Sequence, residues 1–363
     1  MLTILDRYII KKYLGTFLFA CFLITMASIV IDFSDKINRF IQQDLSVRQI
    51  LVEYYLNFIP WINGLLWPLF ALISVVFFTS RLARNTEFIP MLGSGISFNR
   101  LIVPYLISSS MIAGALWYGT NYLIPKTTKH KNEFEAEYLS KSKKQNLSNN
   151  IHFFISPSSK IYIKHYKNRD STAQNFRLEN FDSLGVLTDL IQAEKISFKE
   201  SPDVWTLENY VKRGFDEMDE SIVLGRSEKL DTALNFQPSD FVHYTKQMEM
   251  MTTSELKEYI QVEQSRGLDN TKKYQIELQR RMADPFTIII MTLIGMAVAS
   301  KKVRGGMGLH LAVGVVIGSA YVVLSKFSKT FAENLSVSAE IGMWAPNIFF
   351  AMIALVLVLK AQK

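Results

Sequence analysis

The chain has 363 residues, 49% of them hydrophobic and 12% aromatic, and 40 Lys and Arg against 33 Asp and Glu leave a formal net charge of +7. One cysteine, Cys21, excludes a disulfide-stapled domain, and in the absence of a nucleic-acid motif the basic excess reads as membrane topology and contact with anionic lipid head groups. The apolar residues are heaped at the two ends around an ordinary polar middle, which excludes a single soluble domain.

A run of about 18 or more apolar residues can cross a hydrocarbon core roughly 30 Å thick. The first is YLGTFLFACFLITMASIVI, Tyr13 to Ile31. Basic residues Arg7, Lys11 and Lys12 precede it, as in a signal peptide, but it is too long for one and no small-residue cleavage site ends it before Asp32. The second spans Phe58 to Thr79 and the third Leu101 to Ile124. Three more follow the polar middle: Pro285 to Ala299, extended by the helical lead-in TKKYQIELQRRMAD, then Leu309 to Ser325 and Met343 to Leu359. The plan is three spans, one large insertion and three spans. Lys and Arg favour the cytoplasmic side. Arg81, Arg84 and Arg100, then Lys301, Lys302 and Arg304, then Lys360 and Lys363 therefore place both termini inside and the insertion outside.

Between the second and third spans stands RLARNTEFIPMLGSGISFNR, Arg81 to Arg100. At helical spacing Leu82, Phe88, Ile89 and Leu92 share one face, Arg81, Arg84 and Glu87 share the other, and Arg84 is three residues from Glu87, close enough to pair. Two readings fit: a helix lying on the membrane surface, or a docking element in which Glu87 enters a partner's groove and Gly93 to Gly95 turn the chain back. Periodicity does not separate them.

From about Ile151 to His243 the pattern alternates, in KIYIKHY, FRLENFD, KISFKE and VWTLENYVKRGF, with the turn signals SPSS, KNRD, SLG and ESPD between them. This predicts one β-domain. His130, His152, His165 and His243 lack metal-pair spacing, and no nucleophile elbow is present, so binding fits better than catalysis. The stretch 251–284 reads as a helical connector. Thr252, Thr253 or Ser254 caps its first helix, Leu256, Tyr259, Ile260 and Val262 share a face, and Gly267 ends it. A second helix begins near Asn270, carries Lys272, Lys273 and Arg280 at the outer interface, and bends at Pro285.

No phosphate-binding loop occurs, since RGGMG at 304–308 lacks its lysine and hydroxyl. An ATP-driven function therefore needs a separate ATPase subunit. Gly314, Gly318 and Ser319 permit close helix approach.

The opening LDRYIIKKYLGTF, the segment RLARNTEFIPMLGSGISFNRL and the layout from ELQRRMADPF through GGMG to MWAPNIFF together resemble the LptF/LptG family of lipopolysaccharide-export ABC transporter permeases. The LDRY start leans to the LptG branch. The resemblance implies six transmembrane helices over 1–125 and 285–363, a coupling helix at about 81–95, and a periplasmic β-jellyroll over 126–250. It implies ATPase coupling through Arg84, Glu87, Gly93 and Gly95, with Pro90 at odds with a straight helix, and lipid phosphate binding by Lys36 and Arg39. Asp32 stands where LptG-like chains often carry lysine. The implied setting is the bacterial inner membrane. The implied partners are an LptB-type ATPase holding ATP and magnesium, a second LptF/LptG-type permease, LptC/LptA-type bridge proteins and lipopolysaccharide. This chain itself would bind no cofactor. Secondary transport, for which Pro60 and Pro68 are the sole hints of a broken helix, and a membrane-anchored scaffold are the alternative readings.

Overall fold

The computed structural model describes residues 3–139, 149–167, 170–199, 204–216, 219–232, 234, 247–265, 271–300, 306–335 and 337–361. The Lys301, Lys302 and Arg304 loop, Gly267 and the stretch from 235 through His243 lie outside the described residues. Two compact units are present, a helical one of Met1–Leu139, Met248–Leu256 and Lys272–Lys363, and a second of Ser140–Gln247 and Lys257–Thr271.

Six helices of the first unit are long and apolar enough to cross a membrane. They are built on α1 (Ile4–Gln42), α3 (Leu56–Arg84), α5 (Phe98–Tyr118), α8 (Lys272–Ala299), α9 (Gly306–Asn334) and α10 (Ala339–Ala361). A short α2 (Val47–Gln49) and a π-helical turn, Ile50–Tyr55, lead into α3. A second π turn, Gly119–Leu123, carries α5 into α6 (Ile124–Phe134). It sits just before Pro125, whose missing N–H interrupts the regular ladder there. With 39 residues at about 1.5 Å each, α1 is about 58 Å long, nearly twice the hydrocarbon thickness of roughly 30 Å. Its last turns, with Asp32, Lys36 and Arg39, therefore extend past the apolar run.

Helix α8 forms the centre, packed on α3, α5 and α10. Its apolar stretch is 61% buried, against 11% for α1 and 17% for α9, so these two present most of their apolar surface outward. Around α8 the core joins Ile288, Met291 and Ile294 to Phe70, Val75, Leu101, Tyr105 and Phe350. Two pairs of polar groups inside it satisfy one another where hydrocarbon offers no water: Tyr13 Oη with Thr292 Oγ1 at 2.8 Å and Thr79 Oγ1 with Tyr105 Oη at 3.0 Å. Neither Pro60 nor Pro68 breaks α3, and α8 runs through Pro285 as one helix. The connector helix α7 (Thr253–Ser265) is capped by Thr252 in a reciprocal box with Glu255. Leu256 and Ile260 are buried there, but Val262 is exposed and does not share their face, because it sits two residues past Ile260, on the far side of the helix.

In the second unit β1 (Asn149–Ser156), β2 (Ser159–Lys167), β3 (Thr172–Phe181), β4 (Leu187–Lys199), β5 (Val204–Asp216) and β6 (Asp219–Thr232) make one antiparallel sheet in sequential order. This is the inserted domain expected as a β-jellyroll, and a row of irregular positions shapes it. Pairing skips Asn150 and Lys164 between β1 and β2, Lys164 and Asn175 between β2 and β3, Asn175 and Glu194 between β3 and β4, and Glu194 and Asn209 between β4 and β5. Asn150, Asn175 and Asn209 hold the left-handed conformation, with φ of 53°, 53° and 54°. At that row the inward positions change parity, from Ile163 to Tyr166, Ala173 to Phe176, Ala193 to Ile196 and Leu207 to Tyr210, and residues from both sides join one core. A strand alternates strictly in twos, so each strand bends at this row. Ile161, Ile163 and Ile196 are fully buried, so the apolar side of the sheet is covered. Beside the crease Glu208 lies 2.9 Å from Lys229 and 3.5 Å from Lys195 on the flanking strands. The hydrogen bond from Lys229, with the Lys195 charge, holds its carboxyl below the usual range.

Candidate coupling site and the charged clusters of the helical unit

The segment after α3 is not one helix over 81–95. Helix α3 ends at Arg84 and closes through Thr86 N–H donating to the Ala83 carbonyl at 3.3 Å and Glu87 N–H to the Leu82 carbonyl at 3.0 Å. That is a Schellman ending, here with Thr86 rather than glycine at φ 58°, a strained choice for a β-branched residue. A separate helix α4 (Phe88–Gly93) follows. Pro90 is its third residue, inside the first turn, where a backbone N–H has no helical acceptor anyway. The proline conflict disappears because the chain restarts before it. Of the two glycines, Gly95 at φ +85° needs its freedom, whereas Gly93 is helical. Ser97 then caps α5.

Leu82 is buried and Arg81 and Arg84 are exposed, as the periodicity predicts. The side chains of Phe88, Ile89 and Leu92 lie outside the described residues. Among the described residues Glu87 makes no ion pair with Arg84. It accepts instead from Tyr8 Oη at 3.1 Å through Oε2 and from Asn85 Nδ2 at 3.2 Å through Oε1. At the far end Arg100 grips Asp6 with both guanidinium nitrogens, Nη1 to Oδ1 at 2.8 Å and Nη2 to Oδ2 at 2.5 Å. Asp6 is 2% exposed and forms a capping box with Thr3. Two residues near the start of α1, Asp6 and Tyr8, thus hold both ends of the cytoplasmic-loop candidate. Sequence reasoning passed over both. The signal for Asp6 is the Thr-x-x-Asp spacing ahead of the first apolar run, a capping signature; Arg100 carries no local signal beyond its charge.

At the other end of α1, Lys36 is enclosed. Its Nζ donates to Asp32 at 2.7 Å, to Glu135 at 2.9 Å and to the Tyr54 hydroxyl. Tyr55 Oη reaches Asp32 at 3.3 Å, and Lys131 reaches Glu135 at 3.4 Å while lying 4.3 Å over the Trp61 ring. Asp32, unexpected from the resemblance, is the counter-ion of Lys36. Arg39 differs: its side chain is exposed and donates to the Leu139 carbonyl at 3.3 Å.

A third cluster gives ELQRRMADPF its structural content. Arg281, 2% exposed, donates to Glu277 at 3.0 Å and to the Met248 and Met251 carbonyls, each at 2.8 Å. Arg280 binds Glu277 at 2.8 and 2.9 Å and Asp284 at 3.4 Å, and is half-buried within the cluster. Thr253 links Arg281 to Asn121 in the π turn, donating there at 2.5 Å. The connector residues 248–253 are clamped between the third and fourth spans.

Six membrane-length helices, three on each side of an inserted antiparallel β-domain in the chain, define a multi-pass membrane protein. No group of His, Cys, Asp or Glu suited to a metal is found among the described residues. The chain belongs to the family described as lipopolysaccharide export system permease LptF/LptG, whose model matches residues 7–360, nearly all of it. The family comprises inner-membrane permease subunits of the lipopolysaccharide export complex, and the match covers the LptF and LptG branches alike. Comparison with curated proteins finds no match.

Proposed function

We propose that this chain is one permease half of a transporter that lifts lipopolysaccharide out of the inner membrane and passes it on through the inserted β-domain, driven by ATP hydrolysis on a separate LptB-type subunit. The observation that carries this reading is the extent of the family match, residues 7–360. Both termini face the cytoplasm, and the β-domain faces the periplasm and hands lipid to LptC/LptA-type bridge proteins. The chain binds no cofactor; ATP and magnesium sit on the ATPase. The LptG branch is favoured by the LDRY opening.

Glu87 and Arg84, presented by the Schellman turn and α4, form the ATPase contact, with Gly95 returning the chain to the membrane and Gly93 giving α4 a slim end. The Asp6 and Tyr8 contacts support this role, since a push on the segment reaches α1 at both of its ends. The outward apolar surfaces of α1 and α9 suit a cavity shared with a second LptF/LptG-type permease, where acyl chains lie. Arg39 is the exposed cation for a lipid phosphate. Lys36 joins it only by exchanging a carboxylate for phosphate, and otherwise fastens α1 to Glu135. Continuity of α3 through Pro60 and Pro68 gives the secondary-transporter alternative no broken helix.

The test is Glu87→Ala in the complete transporter, with ATPase retention and lipopolysaccharide release measured together. Release should fall by about tenfold or more, in line with the loss of a charge-assisted contact at an interface; normal release with the ATPase still bound would sink the assignment.

A further inference from the structure

Gly314 and Gly318 of α9 belong to a seam that ends in a polar pair. On α9, His310, Gly314 and Gly318 recur every four residues, so they share one helix face. On α3 the facing row is Ser80, Val76 and Leu72, also four apart and running the opposite way. A Cβ added at Gly314 would lie 3.2 Å from Val76, and one at Gly318 would lie 3.0 Å from Leu69 and 3.1 Å from Leu72. Close approach of the two backbones therefore depends on these glycines. At the end of the seam nearest Arg81, Ser80 Oγ and His310 Nδ1 are hydrogen-bonded at 2.8 Å. Ser80 is 2% and His310 4% exposed.

The glycines let the two backbones approach closely. The buried hydrogen bond adds a directional contact at the end of the seam: a shift of one turn, about 5.4 Å, would separate its two partners. Ser80 is also four residues before Arg84, where α3 gives way to the segment bearing Glu87. The polar pair therefore stands where displacement of the candidate coupling segment enters the membrane helices, and it is the point at which α3 is registered on α9.

We propose that Ser80 and His310 are positioning residues for energy coupling: their hydrogen bond makes α9, one of the two outward-facing helices, move with α3 when the ATPase displaces the segment at Glu87. This rests on the reading of Glu87 given above. Arg100 and Asp6 serve α1 in the same way, so one cytoplasmic segment would drive both outward-facing helices.

The experiment uses the complete transporter in proteoliposomes, with lipopolysaccharide released per ATP hydrolysed as the readout and ATPase co-purification as the assembly control. Ser80→Ala removes one oxygen, and His310→Leu removes both ring nitrogens. Each should lower the ratio by about three- to tenfold with ATP turnover and assembly retained. Ser80→Thr keeps the hydroxyl and His310→Asn keeps a polar atom near the Nδ1 position, so both should preserve the ratio. The double variant Ser80→Ala/His310→Leu should be no worse than either single one, the mark of a shared interaction. An unchanged ratio in Ser80→Ala and His310→Leu, multiplied effects in the double variant, or loss of assembly in both single variants would overturn the proposal. Glu87→Ala run in parallel separates the two ideas. If it leaves release normal with the ATPase bound, the coupling reading itself fails; if it uncouples while the Ser80 and His310 variants do not, the fault lies with this link alone.

Discussion

Replacing Asp6 with Asn tests whether the bracket on the cytoplasmic segment is electrostatic. Asn keeps an acceptor for the Thr3 N–H, which now donates to Asp6 Oδ2 at 2.8 Å. It removes the charge and one of the two oxygens that face the Arg100 guanidinium at 2.5 and 2.8 Å. The Asp6 side chain is 3% exposed and that of Arg100 is 40%. A fully exposed pair contributes about 0.2–1 kcal/mol, and breaking a fully buried one costs about 3–5 kcal/mol. With one partner buried and the other partly in solvent, we expect a loss of about 2 kcal/mol, between those limits. At about 2–4 °C per kcal/mol the thermal midpoint of the detergent-purified protein should fall by about 4–8 °C. A double-mutant cycle with Arg100→Gln should return a clearly favourable coupling between the two residues. Thr3→Ala, which removes the helix cap and leaves the ion pair, should cost about 1 kcal/mol whether or not Arg100 is present. A midpoint unchanged by Asp6→Asn, or a coupling energy below about 0.5 kcal/mol, would refute the bracket.

Lys36→Met should lower stability by about 2 kcal/mol, because Asp32 and Glu135 lose the cation between them, whereas Arg39→Ala should leave the thermal midpoint unchanged and reduce lipopolysaccharide release; the reverse pattern would exchange their roles. In the β-domain Asn175→Ala should cost about 1–2 kcal/mol for holding a Cβ-bearing residue without a polar side chain in the left-handed region, while Asn175→Gly should be neutral or mildly stabilising, as read from thermal melts. Equal midpoints for the Ala and Gly variants would mean the crease does not depend on that conformation. Glu87→Ala and the Ser80 and His310 variants, measured together, complete the set through the ratio of release to hydrolysis.

What sequence could and could not reveal divides along physical lines. The six spans were legible because each is a continuous apolar run, and hydrocarbon selects for that over about 20 neighbouring residues. The strands within the insertion were legible from alternation, and the parity change was present in KIYIKHY, where Ile161 and Ile163 are followed by Tyr166 rather than by residue 165. Its meaning emerged only when five strands placed the same irregularity side by side, since register between strands is set by pairing and not by any one strand. The ending of α3 was hidden because Thr86 occupies a position that glycine usually announces. The site charges show the sharpest contrast. Lys36 and Asp32 are one helical turn apart, a spacing that suggests a pair, but Glu135 lies 99 residues from Lys36, Arg100 lies 94 from Asp6, and His310 lies 230 from Ser80. Local sequence determined which residues are helical, which are embedded and which carry charge, because backbone geometry and the apolar solvent act within a few residues. Packing decided which distant charges meet, because a buried charge takes its partners from whichever helices the core brings alongside.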